Sequence, residues 1–137
     1  MLKSKFYGHR IYAYPDPSGR ARKTSAAAGI TDFKILESEG ITCRARRKAP
    51  PIADSVQSVN LMLKNAAGQT RMYFRPECQN TIKSMETTVW KEGSIDSAQI
   101  DKTMGAEHHS DGVRYATEYL FPVQSGGKKV IRSTMTF

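Results

Sequence analysis

Three groups of residues have the side-chain types and spacing to do chemistry. The first is Asp16, inside Tyr14-Pro15-Asp16-Pro17-Ser18-Gly19. Prolines on both sides stiffen its backbone, which suits a metal ligand; the same position suits an Asx-type turn residue. The second is Glu107-His108-His109-Ser110-Asp111-Gly112-Val113-Arg114-Tyr115. On a helix His108 and Asp111, three positions apart, share a face, and Glu107 and Asp111 can share it too. A histidine and carboxylates converging on one face fit a site for Mg²⁺ or Mn²⁺. In the alternative the acids only favour the helix N-terminus and Arg114 pairs with Glu118. The third group is the basic run Arg44-Ala45-Arg46-Arg47-Lys48, which is either a phosphate grip or a solvated charge run.

The elements that would position these groups follow from local signals. His9 to Tyr14 is aromatic and β-branched, and the Pro-Gly cluster behind it ends the strand with Asp16 just past its C-terminal end. Thr31-Asp32 opens a helix with Phe33, Ile35 and Leu36 to one side, and Gly40 stops it. Ile41 to Arg46 alternates as a second strand. Strand, helix, strand over so short a stretch predicts a right-handed βαβ unit with parallel strands. Parallel strands end at one rim, so Arg44, Arg46, Arg47 and Lys48 would flank Asp16. Arg20, Arg22 and Lys23 would reinforce that rim. An open α/β sheet usually binds its ligand there.

Further along, Ala49-Pro50-Pro51 breaks the chain before a helix capped by Asp54, with Val56, Val59, Met62 and Leu63 as its apolar stripe and Gly68 ending it. Thr70 to Phe74 reads as a short strand. Pro76-Glu77 suits the first turn of a third helix, continued by Cys78, Ile82, Met85 and Val89 and stopped by Gly93. The stretch Ser94 to Ala106 is polar and ambiguous. A last helix runs from Glu107 to Leu120 with Val113, Ala116 and Leu120 packing inward; Pro122 ends it. Residues 123–137 form a mobile tail, so the expected division is a domain over 1–122 and a tail over 123–137.

Composition bounds the reading. At 137 residues, 39% hydrophobic and 25% charged, the chain is one globular domain's worth. No apolar run approaches the roughly 20 residues that span a bilayer, and no signal peptide is evident, so a cytoplasmic protein is expected. Cys43 and Cys78 stand apart from any metal-ligand spacing and read as small buried hydrophobes. The net charge of +8 is uneven: residues 1–50 hold 11 Lys/Arg against 4 Asp/Glu. A basic half favours a polyanion, nucleic acid above all, although a pI near 9.7 also simply favours solubility.

Tyr14-Pro15-Asp16-Pro17-Ser18-Gly19, then Gly29-Ile30-Thr31-Asp32-Phe33, then Ile100-Asp101-Lys102 and His108-His109-Ser110-Asp111-Gly112-Val113-Arg114-Tyr115 together resemble the terminase large subunits of tailed bacteriophages. The resemblance covers roughly Tyr7 to Pro122 and rests on the order and separation of the pieces. It implies an α/β, ribonuclease H-like nuclease fold, present here in part because the family's first three strands precede the matched region. It implies metal-dependent cleavage of concatemeric double-stranded DNA during genome packaging in a bacterial host cell. Asp16 and Asp111 would bind Mg²⁺ or Mn²⁺, His108 would lie in the same site as ligand or proton carrier, and Lys102 would contact phosphate. The implied partners are the terminase ATPase domain, the small terminase subunit and the portal. The family's first catalytic Asp lies on an earlier strand, and residues 1–15 hold no Asp or Glu; a P-loop is absent too. A catalytically incomplete DNA-binding or packaging-interaction piece is therefore the alternative expectation.

Overall fold

The computed structural model describes residues 2–21, 29–93, 99–102, 105 and 107–123. In chain order the described elements are α1 (Leu2–Lys5), β1 (Tyr12–Ala13), a 3₁₀ turn (Pro17–Arg20), α2 (Asp32–Ser38), β2 (Thr42–Cys43), α3 (Ile52–Leu63), α4 (Gln79–Thr87) and α5 (Glu107–Leu120). The architecture is mixed α/β: five helices and a small two-stranded parallel sheet among the described residues. No helix among them is long and apolar enough to cross a membrane.

A β-α-β unit with parallel strands forms, but each strand is cut to two residues, Tyr12–Ala13 and Thr42–Cys43, from the expected His9 to Tyr14 and Ile41 to Arg46. Tyr12 pairs with Thr42 and Ala13 with Cys43 in parallel register. The rungs are Thr42 N–H to Ile11 O at 3.0 Å and Arg44 N–H to Ala13 O at 2.8 Å. Thr31 caps α2, its hydroxyl accepting from Lys34 N–H. At the far end Gly40 takes φ +71°. Its N–H bonds Glu37 O at 2.8 Å and Ile41 N–H bonds Leu36 O at 3.1 Å, the paired bonds of a Schellman stop. Ile41 then enters the core, where Phe33 is also buried.

The second half is three helices, with α5 packed on both α3 and α4. The buried side of α5 is Glu107, Ser110, Arg114, Thr117 and Glu118, not the expected Val113, Ala116 and Leu120. Leu120 is exposed, and Val113 and Ala116 are only half-buried. The reason lies in the facing helices, which offer Ser55 and Ser58 (α3) and Ser84 (α4), all buried. Small hydroxyls let the helices come close and need polar partners when buried. Ser84 Oγ accepts the Ser110 N–H at 2.9 Å, which fastens the first turn of α5 to α4. Thr88 Oγ1 and Ser110 Oγ lie 2.9 Å apart. The apolar side chains Val56, Leu63, Met85 and Trp90 wall a cavity of about 220 Å³ beside the buried Val59 and Ile100.

Several other expectations are corrected. α3 begins at Ile52, so Asp54 sits in its first turn, not at its cap; Pro51 occupies the cap without a side-chain bond. α3 also ends at Leu63, well before Gly68. Thr70 to Phe74 is not a strand: Arg71 N–H and Met72 N–H both bond Met62 O, and no neighbouring strand pairs with the segment among the described residues. Pro76-Glu77 lies in a turn ahead of α4, which runs only from Gln79 to Thr87. Cys78 is exposed and Cys43 half-buried, so neither is a core residue; both are free thiols. Of the last tail only Val123 is described, its N–H 3.3 Å from Ser58 Oγ; the expected mobility of the rest lies outside the described residues.

Candidate functional site

Asp16 is held by its own sequence first. It caps the 3₁₀ turn, with Oδ1 accepting the Ser18 N–H at 2.8 Å. This is the Asx-type arrangement that the residue's neighbours allowed. Gly19 lets that turn lie against Phe33, since a Cβ there would sit 3.3 Å from the ring. Arg20 then covers the same ring, its guanidinium carbon 4.9 Å from the centroid. Its two terminal nitrogens donate to Arg46 O at 3.3 Å and Ala45 O at 3.0 Å. The loop after β1 and the basic run after β2 are thereby tied together, as parallel strands ending at one rim require.

The second carboxylate-bearing element reaches the same rim. Tyr115 of α5 donates its hydroxyl to Asp16 Oδ2 at 3.0 Å across 99 residues of sequence. Tyr14 and Tyr119 stack obliquely, centroids 5.4 Å apart, and Arg46 Nε meets Glu118 Oε2 at 2.8 Å. These three contacts join the β-α-β unit to α5. Asp111 and Tyr115 are four residues apart and Tyr119 four further, so they form one stripe of the helix. His108, exposed on the first turn, starts the same stripe. Asp111 thus lies on the stripe of α5 whose Tyr115 bonds Asp16, while Asp16 itself stays on the loop after β1.

Electrostatics agree with that placement. Burial pushes the Asp16 carboxyl up, but the Ser18 and Tyr115 hydrogen bonds and the charge of Lys102 outweigh it and hold the group below the ordinary 3.8. The Tyr115 phenol is pushed up from 10.0 to about 12, by burial first, then by its bond to Asp16 and the charges of Asp16 and Asp111, with Arg114 pulling the other way. Tyr115 thus feels both carboxylates. Asp111 is itself engaged: it forms an ion pair with Arg114 Nη2, while Arg114 Nη1 donates to Ser55 Oγ at 2.7 Å. The alternative pairing of Arg114 with Glu118 is not adopted, because Glu118 is taken by Arg46.

The basic residues divide by what they already hold. Arg20 and Arg46 have structural partners within the chain. Arg44 lies over Tyr12, its guanidinium carbon 4.0 Å from the ring centroid, a cation–π contact. Arg47, Lys48 and Lys102 are exposed, and Lys102 is close enough to act on Asp16. Arg22 and Lys23 lie outside the described residues.

For a hard divalent cation the donor chemistry fits, since carboxylate oxygens are the ligands Mg²⁺ and Mn²⁺ take. The number is small: among the described residues no group of three or more His, Cys, Asp or Glu converges as a metal site. Glu107, one turn before Asp111, is turned into the helical interface instead, with Oε2 buried and without a hydrogen-bond partner. Tyr115 is the residue that reasoning from the sequence passed over. Its spacing of four from Asp111 was visible, whereas its bond to Asp16 depends on the tertiary fold.

Comparison with known protein families, with curated proteins and with solved structures finds no match for this chain.

Proposed function

We propose that this chain is the nuclease part of a phage DNA-packaging terminase, a ribonuclease H-like, metal-dependent endonuclease acting on double-stranded DNA. The observation that carries the proposal is the Tyr115 to Asp16 bond, because it brings the loop of one expected ligand onto the stripe of α5 that bears the other. A basic rim beside the carboxylates supports the same reading, since a phosphodiester substrate needs cationic grip next to the cutting atoms. In this reading Asp16 and Asp111 hold Mg²⁺ or Mn²⁺, with His108 beside them as ligand or proton carrier. A bound cation would supply an activated water and neutralise charge developing on the phosphate. Arg44, Arg47, Lys48 and Lys102 hold the DNA backbone. Arg46 and Arg20 shape the rim that presents them. The terminase ATPase domain, small subunit and portal are the partners this role implies.

The second reading is a DNA-binding module that does not cut, and the small donor set favours it. Supercoiled plasmid incubated with the chain and Mn²⁺ separates the two. Asp16→Asn and Asp111→Asn are the informative variants, because asparagine keeps an oxygen for Ser18, Tyr115 or Arg114 while removing the charge. Nicking or linearisation lost in both variants supports the nuclease. Absence of cleavage by the wild type, together with salt-sensitive retention of the plasmid, supports the binding module.

A further inference from the structure

The two faces of the β1–β2 sheet are unlike. In its parallel register the Tyr12–Thr42 rung is exposed and the Ala13–Cys43 rung half-buried, as side chains alternate along a strand. Arg44, two residues after Thr42, returns to the open face, where its guanidinium carbon lies 4.0 Å from the Tyr12 ring centroid. Tyr12 is still 38% exposed, so ring and guanidinium together keep open π surface. Tyr7, in the turn that leads into β1, is 91% exposed and adds a second open ring, at most about 18 Å of chain from Tyr12. Charge on these segments is of one sign. Residues 2–15 hold three Lys or Arg and residues 41–50 hold four, and neither stretch holds an Asp or Glu. Lys3 comes back to the start of β2, its Nζ 2.6 Å from where a Cβ on Gly40 would stand. Of the described ion pairs none includes Arg44.

An exposed ring under an arginine can serve its own sheet alone, since cross-strand pairs stabilise strands. A duplex has little use for such a ring, because its bases are stacked on one another and it shows a protein phosphates and groove edges. Unpaired bases offer free faces. Proteins that hold single strands stack those faces on aromatic rings and guanidinium planes, beside cations that follow the phosphates. We infer that the Tyr12–Arg44 face of the sheet is a stacking platform for the unpaired bases of a single-stranded nucleic acid, with the neighbouring basic residues taking its phosphates. That the ligand is a nucleic acid rests on the DNA-holding role proposed for this rim; that it is single-stranded rests on the open rings, and no cleavage is required.

Fluorescence anisotropy tests this on the full chain at one salt concentration, with dye-tagged oligothymidylate, oligouridylate and a mixed-sequence duplex, each about 12 nucleotides or base pairs long. Tyr12→Thr keeps a β-branched strand former and removes the ring, Tyr12→Phe keeps the ring, and Arg44→Lys keeps the charge and removes the plane. Circular dichroism is taken on each. Tyr12→Thr and Arg44→Lys are expected to raise the Kd for a single strand about fivefold to a hundredfold, while Tyr12→Phe stays within about twofold and the duplex Kd moves less than about twofold in all three. The two single strands tell whether DNA or RNA is the ligand. A folded Tyr12→Thr chain that binds both single strands as well as wild type overturns the inference. So does a loss shared equally with the duplex, which assigns the ring to holding the rim in shape. If Tyr12→Thr loses its dichroism, Arg44→Lys decides by the same criterion. Wild type that binds the duplex but neither single strand overturns the inference and leaves the DNA-holding rim standing; wild type that binds none of the three overturns both. Self-association abolished by Tyr12→Thr, with nucleic-acid binding unchanged, assigns the face to a second copy of the chain and overturns the inference as well.

Discussion

Replacing Arg114 by methionine tests how the carboxylate side of α5 is held. Arg114 is 7% exposed and carries two bonds, an ion pair to Asp111 and a hydrogen bond to Ser55 Oγ at 2.7 Å. Methionine keeps much of the volume and removes the charge. Ser55 Oγ retains its bond to Ile52 O at 2.8 Å, so the main loss falls on Asp111. Leaving one member of a buried pair unpaired costs about 3–5 kcal/mol. The Asp111 side chain keeps 18% of its surface in water, which moves the expectation to the lower end, about 3 kcal/mol. Set against a total stability on the order of 5–15 kcal/mol, that is a large share. With a urea slope of about 2 kcal/mol per molar, the midpoint should fall by about 1.5 M. Trp90, the only tryptophan, is half-buried at the α3–α4–α5 cavity and reports the transition by fluorescence. Adding Asp111→Leu to Arg114→Met should recover a good part of the loss, since removing both charges leaves nothing unpaired. A midpoint shift below about 0.5 M, or a double variant no more stable than the single, would refute the claim that this pair is a buried, coupled unit.

Two further outcomes follow from the site. The Tyr115 phenol should titrate near 12, followed by the NMR shift of its ring carbon, and Asp16→Asn should bring it part of the way back toward 10.0, because burial is the larger cause and remains. Its folded value lies above the unfolded one, so its contribution to stability is whole below pH 10 and is lost as pH rises toward 12; that of Asp16, held below 3.8, is present above 3.8 and fades as pH falls through its folded value. Among the arginines, Arg44→Ala should weaken DNA binding and lower the salt slope by about one ion, measured by fluorescence anisotropy over a salt series. Arg46→Ala should chiefly lower stability, by about 1–2 kcal/mol (a urea midpoint about 0.5–1 M lower), because it strips the partner from the nearly buried Glu118 while Arg46 itself is 42% exposed. Identical effects of the two substitutions on both measurements would remove the distinction drawn between them.

What could be read from the sequence was whatever a few adjacent residues decide. β1 ends at Ala13, ahead of the turn that Pro15, Pro17 and Gly19 impose around Asp16, Thr31 and Gly40 bound α2, and the last helix keeps its expected bounds at Glu107 and Leu120. Each of these signals closes its hydrogen bonds within five residues. The misreadings share a different cause: they needed knowledge of the partner. Thr70 to Phe74 has strand-like residues but no strand to pair with among those described. Counting apolar positions put Val113, Ala116 and Leu120 inside, whereas the serines of α3 and α4 favour the polar side of α5. The choice among acids for Arg114 was undetermined by spacing, since Asp111 and Glu118 are both within helical reach; Arg46, distant in sequence, settles it by taking Glu118.

That outcome bears on how the candidate site works. On α5 the stripe of Ser110, Arg114 and Thr117 faces the helices, and the adjoining stripe of Asp111, Tyr115 and Tyr119 faces the β-α-β unit. The Arg114–Asp111 pair crosses from one stripe to the other. Asp111 is therefore anchored to the helical packing through Ser55, and Asp16 is anchored to the same helix through Tyr115. Neither carboxylate is placed by its own element alone. Repacking α3 against α5 should move Asp111 before it disturbs Asp16, whereas loosening the β1 loop should do the reverse. A Ser55→Val substitution, which removes the hydroxyl that Arg114 uses, is thus expected to perturb NMR signals of Asp111 more than those of Asp16; equal perturbation of both would mean that the two stripes are not separately anchored.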